Sequence, residues 1–220
     1  MNVDVTPELG RAVLREVVLP GAVGVGLIAG IGRLIMGPLD GFQAEDAVNR
    51  ELERRRTPAA NAVTWAVSTY ADTVPTIAAA LGYGALARRA YGRWDLAVAP
   101  LAAITVETTV FVVGSHLVGR PRPDVTWLDK PAPTSSFPSG HTAATTALHL
   151  TVADLLSRST SPRVRAVAPV LRWGFPPVVA YSRLYRGMHH PSDVVVGVAL
   201  GVWAAGAVRR VIATRPGARV

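Results

Sequence analysis

Three short segments of the sequence combine arginine, serine and histidine in a way that suits phosphate chemistry. They are Arg120-Pro121-Arg122-Pro123, Phe137-Pro138-Ser139-Gly140-His141, and a third that begins at Ser182-Arg183 and ends at His189 and Asp193. The guanidinium group of arginine matches phosphate oxygens in a bidentate fashion. Histidine can serve as a nucleophile or as an acid and base near neutral pH. The three segments are therefore candidates for a site that binds and transfers a phosphoryl group.

The third segment has the spacing of a histidine that is oriented by a carboxylate. Pro191 suits the first position of a helix, which places Asp193 in the first turn and His189 just upstream. A carboxylate in this position can accept a hydrogen bond from Nδ1–H of the imidazole and leave Nε2 as the nucleophile. His190 is adjacent and could take the same role, but the spacing favours His189.

The second segment predicts an anion site at the N-terminus of a helix. Ser139 follows a proline and suits the N-cap, which leaves the backbone N–H groups of Gly140 and His141 free to bind an anion. A cap alone would explain the serine but not the histidine. The Arg-Pro segment, taken alone, is typical of a turn at the end of a membrane span, so its role depends on the other two segments.

The composition favours a membrane protein and excludes several other classes. Half of the 220 residues are hydrophobic, only 17% are charged and the mean hydropathy is +0.29. The absence of cysteine excludes disulfides and thiolate metal sites. One lysine and 22 arginines make up the 23 basic residues. These arginines are scattered and form no nucleic-acid-binding motif, so we expect no nucleic-acid partner. Residues 1–220 are expected to form one domain.

Six apolar stretches predict an all-α fold, a bundle of six transmembrane helices. Most approach the roughly 20 residues that a bilayer crossing requires, and their Ala, Val and Gly content allows close helix packing. The fourth is short and contains His149 and Asp154, so hydropathy alone would make it a buried helix. The stretches cover residues 17–36, 59–87, 96–118, 141–156, 164–181 and 194–212.

The arginine distribution predicts which end of the bundle faces the cytoplasm. Two connections and the C-terminal tail carry ten arginines on one side, which the positive-inside rule makes cytoplasmic together with residues 1–16. The three candidate segments would then lie at the opposite, non-cytoplasmic face. The outer connection 39–56 holds four further arginines among acidic residues, which counts against this orientation. It is predicted as an amphipathic helix, either solvated or at the lipid interface. The ten are Arg88, Arg89, Arg93, Arg158, Arg163, Arg165, Arg209, Arg210, Arg215 and Arg219.

In their order and spacing, the three segments resemble the signature of the type-2 phosphatidic acid phosphatase superfamily, which includes membrane lipid phosphatases and soluble vanadium haloperoxidases. The resemblance covers residues 96–212. It implies that His189 attacks phosphorus, that Asp193 orients it, and that His141 protonates the leaving group and later activates water. It also implies a phosphate site that needs no metal and no cofactor, formed by Arg122, Arg183, the Ser139 hydroxyl and the Gly140 N–H.

One position departs from the family's pattern. The first motif normally carries a lysine at the place occupied here by Ser115, and no lysine lies nearby. Arg120 and His116 could reach the same phosphate, so Ser115, His116 and Arg120 complete the candidate phosphate-binding residues. Two acidic residues within predicted spans, Asp72 and Glu107, are expected to face the bundle interior and pair there, or to mark a proton or substrate path.

The sequence therefore predicts a metal-independent lipid phosphatase of the plasma membrane. Its substrate would be a phosphomonoester or pyrophosphate of a phosphatidate-type or polyprenyl-type lipid, hydrolysed through a phosphohistidine at the periplasmic or extracellular face. A haloperoxidase would use the same oxyanion pocket, but six spans argue against a soluble relative. A weakly active or non-catalytic six-helix transporter or binding homologue would explain the spans but not the three motifs.

Overall fold

The computed structural model describes residues 6–40 and 44–214, and within these ranges every regular element is a helix. The all-α prediction is therefore confirmed. The start of the 1–16 segment, part of the 39–56 connection, and Arg215 and Arg219 lie outside the described residues. The helices are α1 (Pro7–Met36), α2 (Ala44–Arg54), α3 (Pro58–Tyr70), α4 (Thr73–Tyr91), α5 (Trp94–Val118), α6 (Gly140–Ser157), α7 (Pro162–Arg165), α8 (Phe175–Tyr185, preceded by a π-helical turn at Val170–Gly174) and α9 (Pro191–Ala213).

Among the described residues, three helices, α1, α5 and α9, are long and apolar enough to cross a membrane. The 30 residues of α1 extend about 45 Å, more than the roughly 30 Å of a bilayer core. Residues 7–16, predicted to precede the first span, are thus the beginning of the same helix. Large apolar side chains on α1, α4, α5 and α9 point out of the bundle, as on a lipid-facing surface. Examples are Leu27, Leu81, Val98 and Val195.

The second apolar stretch, predicted as one span over 59–87, is interrupted in the structure. α3 ends at Tyr70, α4 begins at Thr73, and Asp72 occupies the N-cap of α4 with an extended backbone. An acidic N-cap followed by Pro75 in the first turn is a helix-start signal. The prediction of one continuous span was therefore wrong, because this local signal overrides the apolar pattern around it.

α6 lies at the centre of the bundle, although hydropathy made the fourth stretch the weakest of the predicted spans. It packs against α4, α5, α8 and α9. Ala143, Ala147, Leu148 and Ala153 on this helix are completely buried. A helix that is covered by protein on all sides has no lipid-facing surface of its own to fill with apolar side chains, which explains its polar content.

Two glycines of α9 allow this helix to approach α6 closely. A Cβ atom at Gly197 would lie 2.6 Å from the Ser139 carbonyl oxygen, and one at Gly201 would lie 2.5 Å from that of Ala143. Small residues four positions apart let helix backbones meet in this way. The backbone N–H of Ser139 donates to the carbonyl of Asp193 at 2.9 Å. The start of α6 is thereby fixed beside the start of α9.

Candidate active site

A cavity of about 850 Å³ lies where the α3–α4 break, the connection from α5 to α6, and the segments that open α6 and α9 meet. Its wall includes residues from all three sequence segments, which the fold brings together from distant positions. Apolar side chains of Trp65, Val74, Ile77 and Ile104 line other parts of the wall. The sequence-predicted residues in the wall are Arg122, Gly140, His141, Arg183 and His189.

The imidazole of His189 is held by the backbone. Its Nδ1 lies 2.7 Å from the carbonyl oxygen of Ser136, whereas Oδ2 of Asp193 is 3.6 Å away. The direct acceptor of Nδ1–H is therefore the Ser136 carbonyl and not the predicted carboxylate. Burial lowers the pKa of His189 to about 4. The ring is neutral near pH 7, and with the proton on Nδ1 the lone pair is on Nε2.

Asp193 lies behind His189 and is completely buried. Its Oδ1 accepts a hydrogen bond from Nη1 of Arg120 at 2.6 Å, and its Oδ2 accepts one from the backbone N–H of His190 at 2.8 Å. Oδ2 also accepts from the hydroxyl of Ser136. Asp193 therefore fixes the residue whose carbonyl orients His189. His190, the alternative nucleophile, is not among the residues that line the cavity.

Arg120, predicted as a possible phosphate ligand, belongs instead to a buried ion-pair network. It is only 2% exposed, and its guanidinium lies 2.6 Å from Asp193 and 2.9 Å from Glu45. Glu45 also accepts from the backbone N–H and the hydroxyl of Ser192 at 2.6 and 2.7 Å. Arg120 does not line the cavity. The guanidinium of Arg120 therefore links the start of α9 to α2 through its ion pairs with Asp193 and Glu45.

Arg122 and Arg183 both line the cavity. Arg183 donates to Ser68 and, at 2.8 Å, to Asp129, which also accepts from Arg186 at 2.8 Å. Burial acts to raise the pKa of Asp129, but hydrogen bonds from Arg186 and Ser68 and the charge of Arg183 outweigh it and hold this pKa below its usual value. Asp129 is thus an ionised anchor for Arg183 and Arg186.

The start of α6 forms another side of the cavity. Ser139 occupies the N-cap, as predicted, and Gly140 is the first residue of the helix. A Cβ atom at Gly140 would lie 2.8 Å from the tip of the Phe111 ring, so a larger residue here would have to displace that ring. Nε2 of His141 lies 2.8 Å from Oδ1 of Asp72 at the α3–α4 break. A helix N-terminus, a histidine and two arginines therefore face one volume.

Besides Arg120, three further predicted phosphate-binding groups are not brought to the cavity. The Ser139 hydroxyl is buried and hydrogen bonds to that of Thr142 at 2.9 Å. Ser115 is buried in α5 and donates to the carbonyl of Val112 at 3.1 Å. His116 is exposed, and its Nδ1 lies 2.7 Å from the same carbonyl. The geometry therefore gives these three groups no contact with an anion in the cavity.

The sequence analysis did not identify Lys130 or Ser136 as site residues, and it did not predict that Asp72 pairs with His141. Lys130, the only lysine of the chain, has an exposed side chain and lines the cavity. Asp72 could have been found from its N-cap pattern. Lys130 and Ser136 lie in an irregular connection, and no periodicity predicts where their side chains or carbonyls point.

Glu107, predicted to pair inside the bundle, is buried in α5 and lies in the cavity wall. One carboxylate oxygen accepts from the hydroxyl of Thr108 at 3.1 Å. The other makes no hydrogen bond to any described residue. The predicted ion pair is therefore not formed within the described part of the chain.

Comparison with known proteins gives a family and several relatives. A family model described as the PAP2 superfamily matches residues 95–216, more than half of the chain. Decaprenylphosphoryl-5-phosphoribose phosphatase of Mycobacterium tuberculosis is 40% identical over 129 residues, which cover 57% of this chain and 64% of that protein. An undecaprenyl-diphosphatase of Sulfolobus acidocaldarius is 33% identical over 96 residues, 41% of this chain and 43% of that protein. The matches thus span less than two thirds of these curated relatives.

Two solved structures share the fold. A transmembrane PAP2 type phosphatidylglycerolphosphate phosphatase from Bacillus subtilis superposes with a TM-score of 0.72 at 22% identity, covering 85% of this chain and 93% of that one. LpxE of Aquifex aeolicus gives 0.58 at 21% identity, covering 74% and 92%. At these identities the likeness shows the fold alone. The family match, in contrast, includes all three motifs of the cavity, and the chain therefore belongs to the PAP2 superfamily.

Proposed function

We propose that this protein is a metal-independent lipid phosphatase that works through a phosphohistidine formed on His189. One observation carries the proposal: a single cavity contains His189, with Nδ1 fixed by a carbonyl, together with His141, Arg122 and Arg183. Phosphoryl transfer needs an in-line nucleophile and leaving group, and neutralisation of charge on the three equatorial oxygens. Each requirement has a candidate group in this cavity.

In the first step, Nε2 of His189 attacks phosphorus and the bond from phosphorus to the leaving oxygen breaks. His141 gives a proton to the leaving oxygen. Arg122, Arg183 and the backbone N–H groups at the start of α6 bind the phosphoryl oxygens. We add Lys130 to this set because its side chain lines the same cavity.

In the second step, water attacks the phosphohistidine and the bond from phosphorus to Nε2 breaks. His141, now neutral, takes a proton from this water. Asp193 acts indirectly in both steps. It fixes Ser136, whose carbonyl holds the Nδ1–H of His189, and its negative charge lies near the imidazole when that ring carries the phosphoryl group.

We propose a polyprenyl-linked phosphate or pyrophosphate as the substrate. The named curated relatives act on decaprenyl and undecaprenyl compounds, and the apolar part of the cavity wall suits a lipid chain. A phosphatidate-type lipid is the alternative within the same reaction class.

For the membrane arrangement we propose one domain with six crossings, made by α1, α4, α5, α6, the segment 162–185 and α9. The cavity would face the periplasm or the extracellular side of the plasma membrane. The end of the bundle opposite the cavity carries Arg88, Arg89, Arg158, Arg163 and Arg165, which supports a cytoplasmic assignment for that end.

The test is phosphate release by the purified protein in detergent, in the presence of EDTA, from decaprenylphosphoryl-5-phosphoribose, farnesyl pyrophosphate and dioctanoyl phosphatidic acid. We expect turnover that the chelator does not abolish and that vanadate inhibits. His189→Ala should lose turnover and should form no acid-labile phosphoenzyme, whereas the matched variant His190→Ala should still form it. A wild-type protein that releases no phosphate from any of the three would favour the non-catalytic homologue.

A further inference from the structure

The side chain of Asp72 contacts another helix instead of capping its own. It occupies the N-cap of α4, where an aspartate side chain normally accepts a hydrogen bond from a backbone N–H of the first turn. No such bond is present. The carboxylate reaches instead to α6, where Oδ1 lies 2.8 Å from Nε2 of His141. The capping interaction is thus given up for a contact with a cavity histidine.

This contact determines which nitrogen of His141 can serve the reaction. With Nε2–H donating to Asp72, Nδ1 is the nitrogen left to exchange a proton with a bound molecule. Nδ1 makes no hydrogen bond to any described residue. Both His141 and Asp72 line the cavity that contains His189.

We propose that Asp72 is the positioning residue of the acid and base His141, so that the site contains a second, separate histidine–carboxylate pair. The proposal rests on the proposed function, in which His141 protonates the leaving oxygen and later deprotonates water. Asp72 holds the ring by Nε2, directs Nδ1 to the leaving oxygen, and stabilises the imidazolium from which the proton is transferred. The break between α3 and α4 places Asp72 at the end of a helix, from where its carboxylate reaches α6.

The role predicts an effect that depends on the leaving group. Decyl phosphate releases a basic alkoxide, which must be protonated as the bond to phosphorus breaks. p-Nitrophenyl phosphate releases a stable phenolate, which needs little help from an acid. The second step needs the base with either substrate. Loss of Asp72 should therefore slow phosphoenzyme formation from decyl phosphate, but only phosphoenzyme hydrolysis with p-nitrophenyl phosphate.

The experiment compares Asp72→Asn with wild type in rapid-quench assays with both substrates. Asparagine is as good an N-cap as aspartate, so α4 should form normally. We expect phosphoenzyme formation from decyl phosphate to fall about a hundredfold, a part of the full effect of general acid catalysis. Formation from p-nitrophenyl phosphate should change less than about threefold, and its phosphohistidine should accumulate. Asp124→Asn, an exposed aspartate of the α5–α6 connection, is the matched control.

A structural role for Asp72 would give a different pattern. Equal losses with both substrates and no accumulation of phosphohistidine would overturn the proposal, and so would an Asp72→Asn protein that behaves as wild type. If Asp72→Asn proves unstable on thermal unfolding in detergent, Asp72→Ser, another good N-cap, replaces it. A wild-type protein that forms no phosphoenzyme from either substrate would instead contradict the proposed function itself.

Discussion

The state of His189 follows from its burial. The residue is 3% exposed, and removal from water penalises the charged imidazolium, which lowers its pKa to about 4. The negative charge of Asp193 opposes this effect but does not cancel it. A nucleophilic histidine must be neutral, so the environment keeps the reactive form populated well below neutral pH.

A pH dependence of the first chemical step follows. Because the pKa of His189 is depressed, its neutral form should persist at pH 5 and be lost only as the pH falls through about 4. The rate of phosphoenzyme formation, measured by rapid quench from pH 3.5 to 7 and corrected for the substrate's own ionisation near pH 6, should follow this course. A loss centred on pH 6.5, the ordinary histidine value, would show that the nucleophile is not desolvated.

Lys130 brings a positive charge to the cavity from a part of the chain other than the position of Ser115. Ser115 stands where the family has a lysine, but it is buried in α5 and does not line the cavity. Lys130 lines it from the connection between α5 and α6. A compact ammonium on a flexible stem can reach a phosphate from such a connection as a point charge.

We predict that Lys130→Met weakens vanadate inhibition about tenfold and that Lys130→Arg retains most of it. The effect should be smaller than the hundredfold or more that loss of a buried oxyanion donor causes, because the lysine is exposed and screened by solvent. The inhibition constant for vanadate is the measurement, repeated at low and high salt. Equal constants for wild type and Lys130→Met would remove the lysine from the anion site.

At the scale of single residues, five of the candidates predicted from the sequence line the cavity and several others do not. His189, His141, Arg122, Arg183 and Gly140 could be found because motif spacing specifies them. The hydrogen bond from His189 to the Ser136 carbonyl could not be found, since backbone direction in an irregular connection has no sequence period. Arg120 was misjudged because a buried arginine and a phosphate-binding arginine have the same sequence signature.

Among the helices, α2 supports the third motif through two buried polar residues, which its amphipathic sequence did not predict. Glu45 and Asn49 are buried, although polar residues of a short helix in a connection are expected to face solvent or lipid headgroups. Asn49 donates to the backbone carbonyl of His189 at 3.0 Å, and Glu45 binds Arg120 and Ser192. The helix therefore holds the third motif from outside the bundle.

A stability difference between two acidic residues of α2 should follow. Glu45→Ala removes a buried hydrogen bond between charged groups while Arg120 keeps Asp193 as a partner, and the loss of such a bond costs about 1.5–3 kcal/mol. Glu51 pairs with Arg54 and Arg55 at the exposed surface, where solvent screens the charges, so Glu51→Ala should change the free energy of unfolding very little. Thermal unfolding in detergent measures both. Similar midpoints for the two variants would mean that the Glu45 network adds nothing to stability.

The helices themselves were predicted to different degrees. Long apolar runs predicted α5 and α9 with small errors at their ends, because length and hydropathy are strong signals. They also predicted where α1 ends, but this helix begins at Pro7, well before the predicted start at residue 17. The division of 59–87 into α3 and α4 was missed, since the apolar pattern continues through the break while a single aspartate changes the backbone. Hydropathy made α6 the weakest of the predicted spans, because a helix that is covered by other helices does not need apolar side chains to face lipid.

For the whole molecule, the described residues divide the charges between two ends. The cavity end holds buried, paired charges such as Arg120 with Glu45 and Asp193, and Arg183 with Asp129. The opposite end carries arginines at the helix termini, among them Arg89 and Arg163. The charges at the cavity end are held in buried ion pairs. The arginines at the opposite end are the ones to which the positive-inside rule applies, and this rule predicts that they face the cytoplasm.

This asymmetry allows a direct test of orientation. The chain has no cysteine, so single cysteines report without background. Asp124 is exposed in the connection at the cavity end, and Thr160 is exposed between α6 and α7 at the other end. In intact cells, Asp124→Cys should react with an impermeant maleimide, and Thr160→Cys should react only after the membrane is opened. Both variants should first be shown to react fully in detergent, so that an unreactive cysteine in intact cells reports its side of the membrane and not its burial.

The reverse labelling pattern would place the cavity in the cytoplasm. The four arginines of 50–56 would then be the ones that set the topology, and the substrate would have to be drawn from the inner leaflet.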